Sequence, residues 1–370
     1  MPSPYELIDP ESPPSPALLV FRDLLERNLT EMIRIAGGVE RLRPHAKTHK
    51  ASKIIRMARE KGIVKQKCAT IAEAEMIAQA GVNDVLLAYP LVGPNLSRFA
   101  DLVRAYPETT FRATVDAPES ASALSRAAQD LGRPIPVLMD LDVGMGRTGT
   151  ALGPAAVGLY EQIDALPNLT PDGLHAYDGH IHDSALEDRT RAARGVEEAT
   201  LGLRDRLIAK GLPVPRIVMG GTPTFPIHAA IDAPGLECSP GTIVFHDYNY
   251  QTNYPDLPFT PAAVLLTRVV SRPRPGRLCL DLGHKAVAAD PVGLRAFLPD
   301  IPDARVVGHS EEHLVIETDH ADRFPLGTAL VAVPAHVCPT VALHRRMLVI
   351  AGGSVVDEWD VTARDRTIGV

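Results

Sequence analysis

Residues 64–90, VKQKCATIAEAEMIAQAGVNDVLLAYP, hold one complete structural unit. A short β-like run, VKQKCAT, passes into IAEAEMIAQAG, whose apolar spacing is helical and whose final glycine is a common helix stop. A second β-like run, DVLLAYP, follows at once. The same alternation extends outward from about residue 40 to 245. RLRPHAK (41–47) stands before this unit. TFRATVD (110–116), PVLMDLD (136–142), GLHAYDG (173–179), RIVMGGT (216–222) and LECSPGTI (236–243) come after it. Helical patterns such as SKIIRMAREKG and ESASALSRAAQDLG lie between them, while the linker PTFPIHAAIDAPG allows at most a brief helix. Eight strands with helical crossovers predict a (β/α)8 TIM barrel. An open doubly wound sheet also alternates, but no GxGxxG follows the first strand to favour it.

The texture changes after about residue 262. PAAVLLTRVVSRP, RLCLDLG, EEHLVIET and ALVAVPAHVCPTVALH read as strands punctuated by Gly and Pro, and RMLVIAGGSVVDEWDVTAR reads as a terminal hairpin turning at GG. The predicted fold class is therefore α/β, with a barrel over 25–262 and a smaller all-β domain over 263–370.

Composition narrows the function. A formal net charge of -7 argues against nucleic acid as partner. No apolar run is long enough to span a membrane. The N-terminus lacks the basic and apolar regions of a signal peptide. Four scattered cysteines make no disulfide framework, and the expectation is a reduced cytoplasmic enzyme.

Barrel chemistry gathers at the C-terminal ends of the strands. Those ends here carry Lys47, then Arg147 in DVGMGRTG, then Tyr177, His180 and His182 in YDGHIH. The loops GGT (220–222, with Gly221 and Thr222) and SPGT (239–242, with Ser239, Gly241 and Thr242) follow. Glycine loops with hydroxyls offer backbone N–H groups to a phosphate, although each alone also reads as an ordinary turn. A lysine facing a barrel mouth loses hydration, which frees its amine for Schiff-base chemistry. His45, Lys47 and His49 share a face if the first strand extends that far, and the imidazoles would then supply hydrogen bonds or positive charge to the amine. Phosphate, Schiff base and arginine together suggest pyridoxal phosphate. In PAHVCPTV, His336 and Cys338 are two apart and would point one way on a strand, a pairing that suits a zinc-type cation. A core cysteine beside a surface histidine fits the same spacing, and HIHD (180–183) also has the spacing of a metal pair.

RPHAKTHK, KCATIAEAE, DVGMGRTG, GGTPTF, SPGT, SEEH and HVCPTV, in order along nearly the whole chain, resemble the D-threonine aldolase and D-serine dehydratase-like family. These are metal-activated pyridoxal phosphate enzymes of the alanine racemase fold type. The resemblance implies a homodimer and an N-terminal strand that joins the β domain, which then comprises 1–24 and 263–370. It makes Lys47 the Schiff-base lysine, sets Arg147 at the pyridine nitrogen and Tyr177 near the ring, and gives the phosphate to the two glycine loops. His336 and Cys338 would bind a divalent metal (Mn, Zn, Mg or Co), and His182 would be the acid/base, with His180 as second choice. The implied reaction is cleavage of a 3-hydroxy-D-amino acid to glycine and an aldehyde. The alternative is dehydration of D-serine or 3-hydroxy-D-aspartate at the same site, and Cys338 is compatible with both. A racemase lacks an identifiable second base here. A non-catalytic pyridoxal carrier would not need the β domain, and a hydrolase built on HIHD would leave Lys47 without work.

Overall fold

The computed structural model describes residues 4–370, which fold as two compact units. Residues 32–47, 52–241 and 365–370 form the barrel unit, and residues 4–31, 48–51 and 242–364 form the β unit.

The strands Lys65–Cys68, Asp84–Leu87, Thr110–Val115, Ile135–Asp142, Leu169–Ala176, Ile217–Met219 and Leu236–Cys238 pair in sequence order and in parallel. The short strand Thr150–Ala151 adds to the side of Ile135–Asp142. Residues 42–45 close the ring. Leu42 bridges Cys238 and His45 bridges Lys67. Arg43 N donates to the Cys238 carbonyl at 2.9 Å, and Lys67 N to the Pro44 carbonyl at 2.9 Å. The first stave is thus a pair of bridges and not the full strand that RLRPHAK predicts. Pro44 has no N–H to give a ladder, and the chain turns into a 3-10 helix over Ala46–Thr48. Lys47 therefore lies beyond the strand end.

The unit at 64–90 shows why the local structure forms. Thr70 caps the helix Ile71–Gln79 by accepting from Glu73 N, and the Glu73 carboxylate accepts from Ala69 N at 2.7 Å. The brief helix in the seventh linker is Phe225–Ala229. The barrel floor, at the N-terminal ends of the strands, is charged. Arg43 is fully buried between Glu237 (2.5 Å) and Asp84 (2.6 Å), and Arg112 joins Asp84 to Asp172. Leu86, Leu138 and Val218 form an apolar layer within the barrel.

In the β unit a nine-stranded sheet includes Ala17–Phe21, which runs antiparallel to Ala263–Ser271 and parallel to Arg346–Ala351. Leu19, Phe21, Val264, Leu266, Val333 and Ile350 supply its core. The terminal hairpin pairs Arg346–Ala351 with Ser354–Asp360, and Gly352 and Gly353 both take positive φ at its turn. Among the described residues no helix is long and apolar enough to cross a membrane.

Candidate active site

At the C-terminal ends of the barrel strands lies a cavity of about 480 Å³. Its apolar lining includes Ala69, Ala88, Pro90 and Val92. Its polar and aromatic lining includes His45, Lys47, Lys67, Tyr89, Arg147, Thr148, His175 and Tyr177. Three cations surround the Tyr177 ring. Lys47 Nζ is 5.6 Å from its centroid, Lys67 Nζ 5.7 Å and Arg147 Cζ 5.2 Å, all within cation–π range. Lys47, Arg147 and Tyr177 thus come together as the strand-end reading requires.

The imidazoles beside Lys47 behave differently from the expectation that both serve its amine. His45 Nδ1 accepts from the Lys47 backbone N at 3.3 Å. His49 Nδ1 accepts from Ala51 N at 3.2 Å, and its ring packs edge-on against Phe245 in the β unit. Burial pushes His49 down to about 3, so it brings no positive charge. The 3-10 turn at Ala46–Thr48 removes the strand on which the three side chains would have shared a face.

Two glycines let the loops close on this cavity. A side chain at Gly179 would collide with the Tyr177 ring. At Gly144, in the loop that carries Arg147, a Cβ would lie 2.6 Å from His180 Nε2. That loop is tied by Asp142, which accepts from Gly144 N at 3.0 Å and Gly146 N at 2.9 Å. His180 therefore faces the arginine loop, and its buried Nδ1 has no hydrogen-bond partner among the described residues. His182 is exposed.

The two hydroxyl loops meet through Gly241 N, which points at Thr222 Oγ1 at 3.4 Å. Gly221 lies against Tyr177, where a Cβ would be 3.2 Å from Cε2. Ser239 Oγ donates to the Arg43 carbonyl at 3.0 Å. Thr242 belongs to the β unit, where its Oγ1 is 3.7 Å from Cys338 Sγ.

Several functional-looking groups lie outside the residues that the sequence singles out. Lys67 Nζ is 3.4 Å from His175 Nε2, and His175 Nδ1 is 2.6 Å from Asp140 Oδ1. Thr148 donates to Asp140 Oδ2 at 2.9 Å. Burial and then the Lys47 charge push Lys67 down to about 7. Burial, reinforced by Lys67, lowers His175 as well. Beneath the Gly220–Thr222 loop, the fully buried His228 lies between Asp178 (2.6 Å) and Glu197 (2.9 Å). Burial alone would lower it, but hydrogen bonds to both carboxylates hold it at about 9. Asp178 Oδ1 is buried without a partner among the described residues. Lys67, Asp140 and His175 come from three strands, where the only trace in the sequence is a polar residue on a β run, whereas His228 and Glu197 come from helices and Asp178 and Thr148 from loops, with no local signal.

In the β unit, His336 and Cys338 do not lie on a strand. The strand Ala329–Pro334 ends before them; His336 caps the helix Val337–Leu343 and Cys338 occupies its first turn. His336 Nδ1 is 2.5 Å from Asp290 Oδ2, which leaves Nε2 for a further ligand. Burial opposes its charge, but Cys338 and Asp290 raise His336 to about 9. Thr48 Oγ1 is 3.2 Å from Cys338 Sγ. Among the described residues no three His, Cys, Asp or Glu side chains converge as a metal cage. A cation on this pair would take its other ligands from water or substrate, and an imidazole held by a carboxylate on its far nitrogen suits that use.

A model of the alanine racemase N-terminal domain matches residues 20–249, and one described as a putative serine dehydratase domain matches residues 262–350. A D-threonine aldolase of Arthrobacter sp. is 31% identical over 95% of this chain and 92% of its own. A D-threo-3-hydroxyaspartate dehydratase of Delftia sp. is 27% identical over 94% and 96%. The crystal structure of D-threonine aldolase from Filomicrobium marinum superposes with a TM-score of 0.88 at 30% identity, covering 95% of both chains.

Proposed function

Because the chain belongs to the alanine racemase N-terminal domain family, we propose that it is a pyridoxal phosphate- and divalent metal-dependent lyase that cleaves 3-hydroxy-D-amino acids to glycine and an aldehyde. The observation that carries this reading is the convergence of Lys47, Arg147 and Tyr177 on one cavity. The residues present fit the cofactor: the cavity offers an amine, an aromatic ring and a guanidinium 5.2 Å from that ring, and of the two glycine loops, which are in contact with each other, one lies against Tyr177 through Gly221. Lys47 would carry the cofactor. Arg147 and Tyr177 would flank its ring, and Gly221, Thr222, Ser239, Gly241 and Thr242 would serve its phosphate. When bound, pyridoxal phosphate supplies an electron-withdrawing group for the substrate's α-carbon.

The protein's own groups supply the rest. Arg147 brings positive charge to the cavity, which suits a substrate carboxylate. His336 and Cys338 would hold the cation, which lowers the pKa of a bound hydroxyl. His182 or His180 would exchange a proton with the substrate. The arrangement of His180 over the arginine loop, with a buried Nδ1 that has no hydrogen-bond partner among the described residues, supports His180 for this role over the exposed His182. We place the enzyme in the cytoplasm as a homodimer.

Dehydration is the second reading, favoured by the full-length similarity to the Delftia hydroxyaspartate dehydratase. Product analysis on D-threonine with Mn²⁺ or Zn²⁺ separates the two. Glycine and acetaldehyde support cleavage, whereas 2-oxobutyrate and ammonia support dehydration. A visible absorbance band lost in Lys47→Ala, and turnover but not colour lost to EDTA, would support the cofactor and metal assignments. A band that survives Lys47→Ala refutes the first.

A further inference from the structure

Residues 336–338 are held at three successive positions, all within the β unit. His336 Nδ1 is 2.5 Å from Asp290 Oδ2. Val337 N donates to Asp247 Oδ2 at 3.1 Å. Cys338 Sγ is 3.2 Å from Thr48 Oγ1. The first two contacts join strong donors to carboxylates. The third is different, because Thr48 is fully buried and its hydroxyl has exchanged water for sulfur. A neutral thiol is a weak partner for a hydroxyl, whereas a thiolate is a strong acceptor.

The chain around Thr48 is fixed. The 3-10 turn Ala46–Thr48 leaves the first stave at once after it, and residues 48–51 belong to the β unit. There the Lys50 carbonyl accepts from Ala363 N at 2.9 Å, and His49 packs edge-on against Phe245. Two consecutive residues thus serve different groups. Lys47 lines the barrel cavity, and Thr48 meets the sulfur of Cys338. Thr242 also brings a hydroxyl near that sulfur, but farther off at 3.7 Å. Its single proton would go to the cofactor's phosphate, which leaves Thr48 as the donor to sulfur.

We propose that Thr48 is a positioning residue of the cation site, whose hydroxyl donates to the Cys338 thiolate and sets the site's preference between soft and hard divalent cations. This rests on the reading of His336 and Cys338 as metal ligands. A sulfur that has given up its proton to hold a cation can only accept, so the Thr48 O–H must point at it. Such a bond draws electron density from sulfur, as hydrogen bonds to cysteine ligands do in other metal centres. The thiolate then donates less, and the cation keeps more of its charge for the substrate's hydroxyl. The advantage that a bare thiolate gives Zn²⁺ over the harder Mn²⁺ is reduced for the same reason.

The test compares wild type with Thr48→Val, which keeps the shape and removes the hydroxyl, and Thr48→Ser, which keeps the hydroxyl. All are loaded with pyridoxal phosphate. Difference spectra between the Co²⁺- and Zn²⁺-loaded forms cancel the cofactor's absorbance and leave the sulfur-to-cobalt charge-transfer band, which Cys338→Ala should abolish. In Thr48→Val this band should move to longer wavelength, because an unbonded sulfur holds its electrons less tightly. The Zn²⁺-to-Mn²⁺ affinity ratio, from competitive chelator titrations, should rise roughly tenfold. The ratio cancels any loss of ligand alignment that both cations share. Thr48→Ser should return both readouts to the wild-type values. An unmoved band or an unmoved ratio in Thr48→Val overturns the proposal. So does a Thr48→Ser protein that behaves like Thr48→Val, since shape and not the hydroxyl would then matter. If Thr48→Val does not fold, Thr48→Ala against Thr48→Ser makes the same comparison. Failure of the metal-ligand reading looks different: wild type itself would show no band that depends on Cys338.

Discussion

His228 makes a pH-dependent stability prediction that can be worked through. The imidazole is fully buried between Asp178 and Glu197 and is held at about 9, against 6.5 in an unfolded chain. Because the folded value is the higher one, the native state binds a proton that the unfolded state releases above 6.5. The stabilisation is therefore complete below pH 6.5 and is lost as pH rises through 9. At about 1.36 kcal/mol per unit, the shift is worth about 3 kcal/mol in acid, roughly half that near pH 7.8 and nothing by pH 10. The measurement is urea unfolding of wild type and His228→Gln at pH 6, 7.8 and 10, with the difference taken at each pH so that other titrating groups cancel. That difference should shrink by about 3 kcal/mol from the lowest pH to the highest. A constant difference would mean that His228 is neutral in the fold, and the ion triad would be wrong. His228 also underlies Gly220, where a Cβ would meet its ring. Affinity for pyridoxal phosphate should therefore weaken over the same alkaline window if the loop holds the phosphate.

Two further perturbations probe the site at single residues. Gly179→Ala puts a methyl group into the Tyr177 ring and should displace it from the cations, lowering cofactor affinity at least tenfold by fluorescence titration; unchanged affinity would mean that the ring position does not matter. Asp290→Asn removes the carboxylate behind His336 and should weaken the divalent cation by about 10–100-fold in a competitive chelator titration, while the visible band persists.

Most of the fold was legible because its strands are apolar runs bounded by Gly, Pro and helical patterns. Seven of the eight barrel runs form continuous parallel strands. The eighth, RLRPHAK, contains the reason it does not: Pro44 cannot donate to a ladder, so the stave is held by single bridges at Leu42 and His45. The change from strand to helix at HVCPTVALH had a signal too. Pro339 stands in the first turn of the helix, a position where proline is tolerated, and Thr340 Oγ1 returns to the His336 carbonyl at 2.7 Å. Alternation in the preceding ALVAVP masked it. For the cavity, the glycine loops and GMGR were readable because close approach demands glycine at fixed spacing. The ion triad was not, since Asp178, Glu197 and His228 come from three separate elements and nothing local marks them.

Lys67 shows how a residue can be in plain view and still carry no legible signal. Lys65 and Lys67 alternate with Gln66 and Cys68, and such a pattern on a strand ordinarily means a solvated face. Residues i and i+2 do share a face, but barrel closure turns that face inward. Lys65 then reaches Glu237 at 2.7 Å in the charged floor, while Lys67, one layer nearer the strand ends, meets His175. The same periodicity that places one amine in a structural ion network delivers the other to the cavity. What differs is the partner. Lys65 sits at salt-bridge distance from a carboxylate, whereas Lys67 has the His175 imidazole within hydrogen-bond reach and the Lys47 charge nearby. Two lysines two residues apart on one short strand thereby meet different surroundings, and burial, with the Lys47 charge beside it, holds the Lys67 amine well below the usual lysine range.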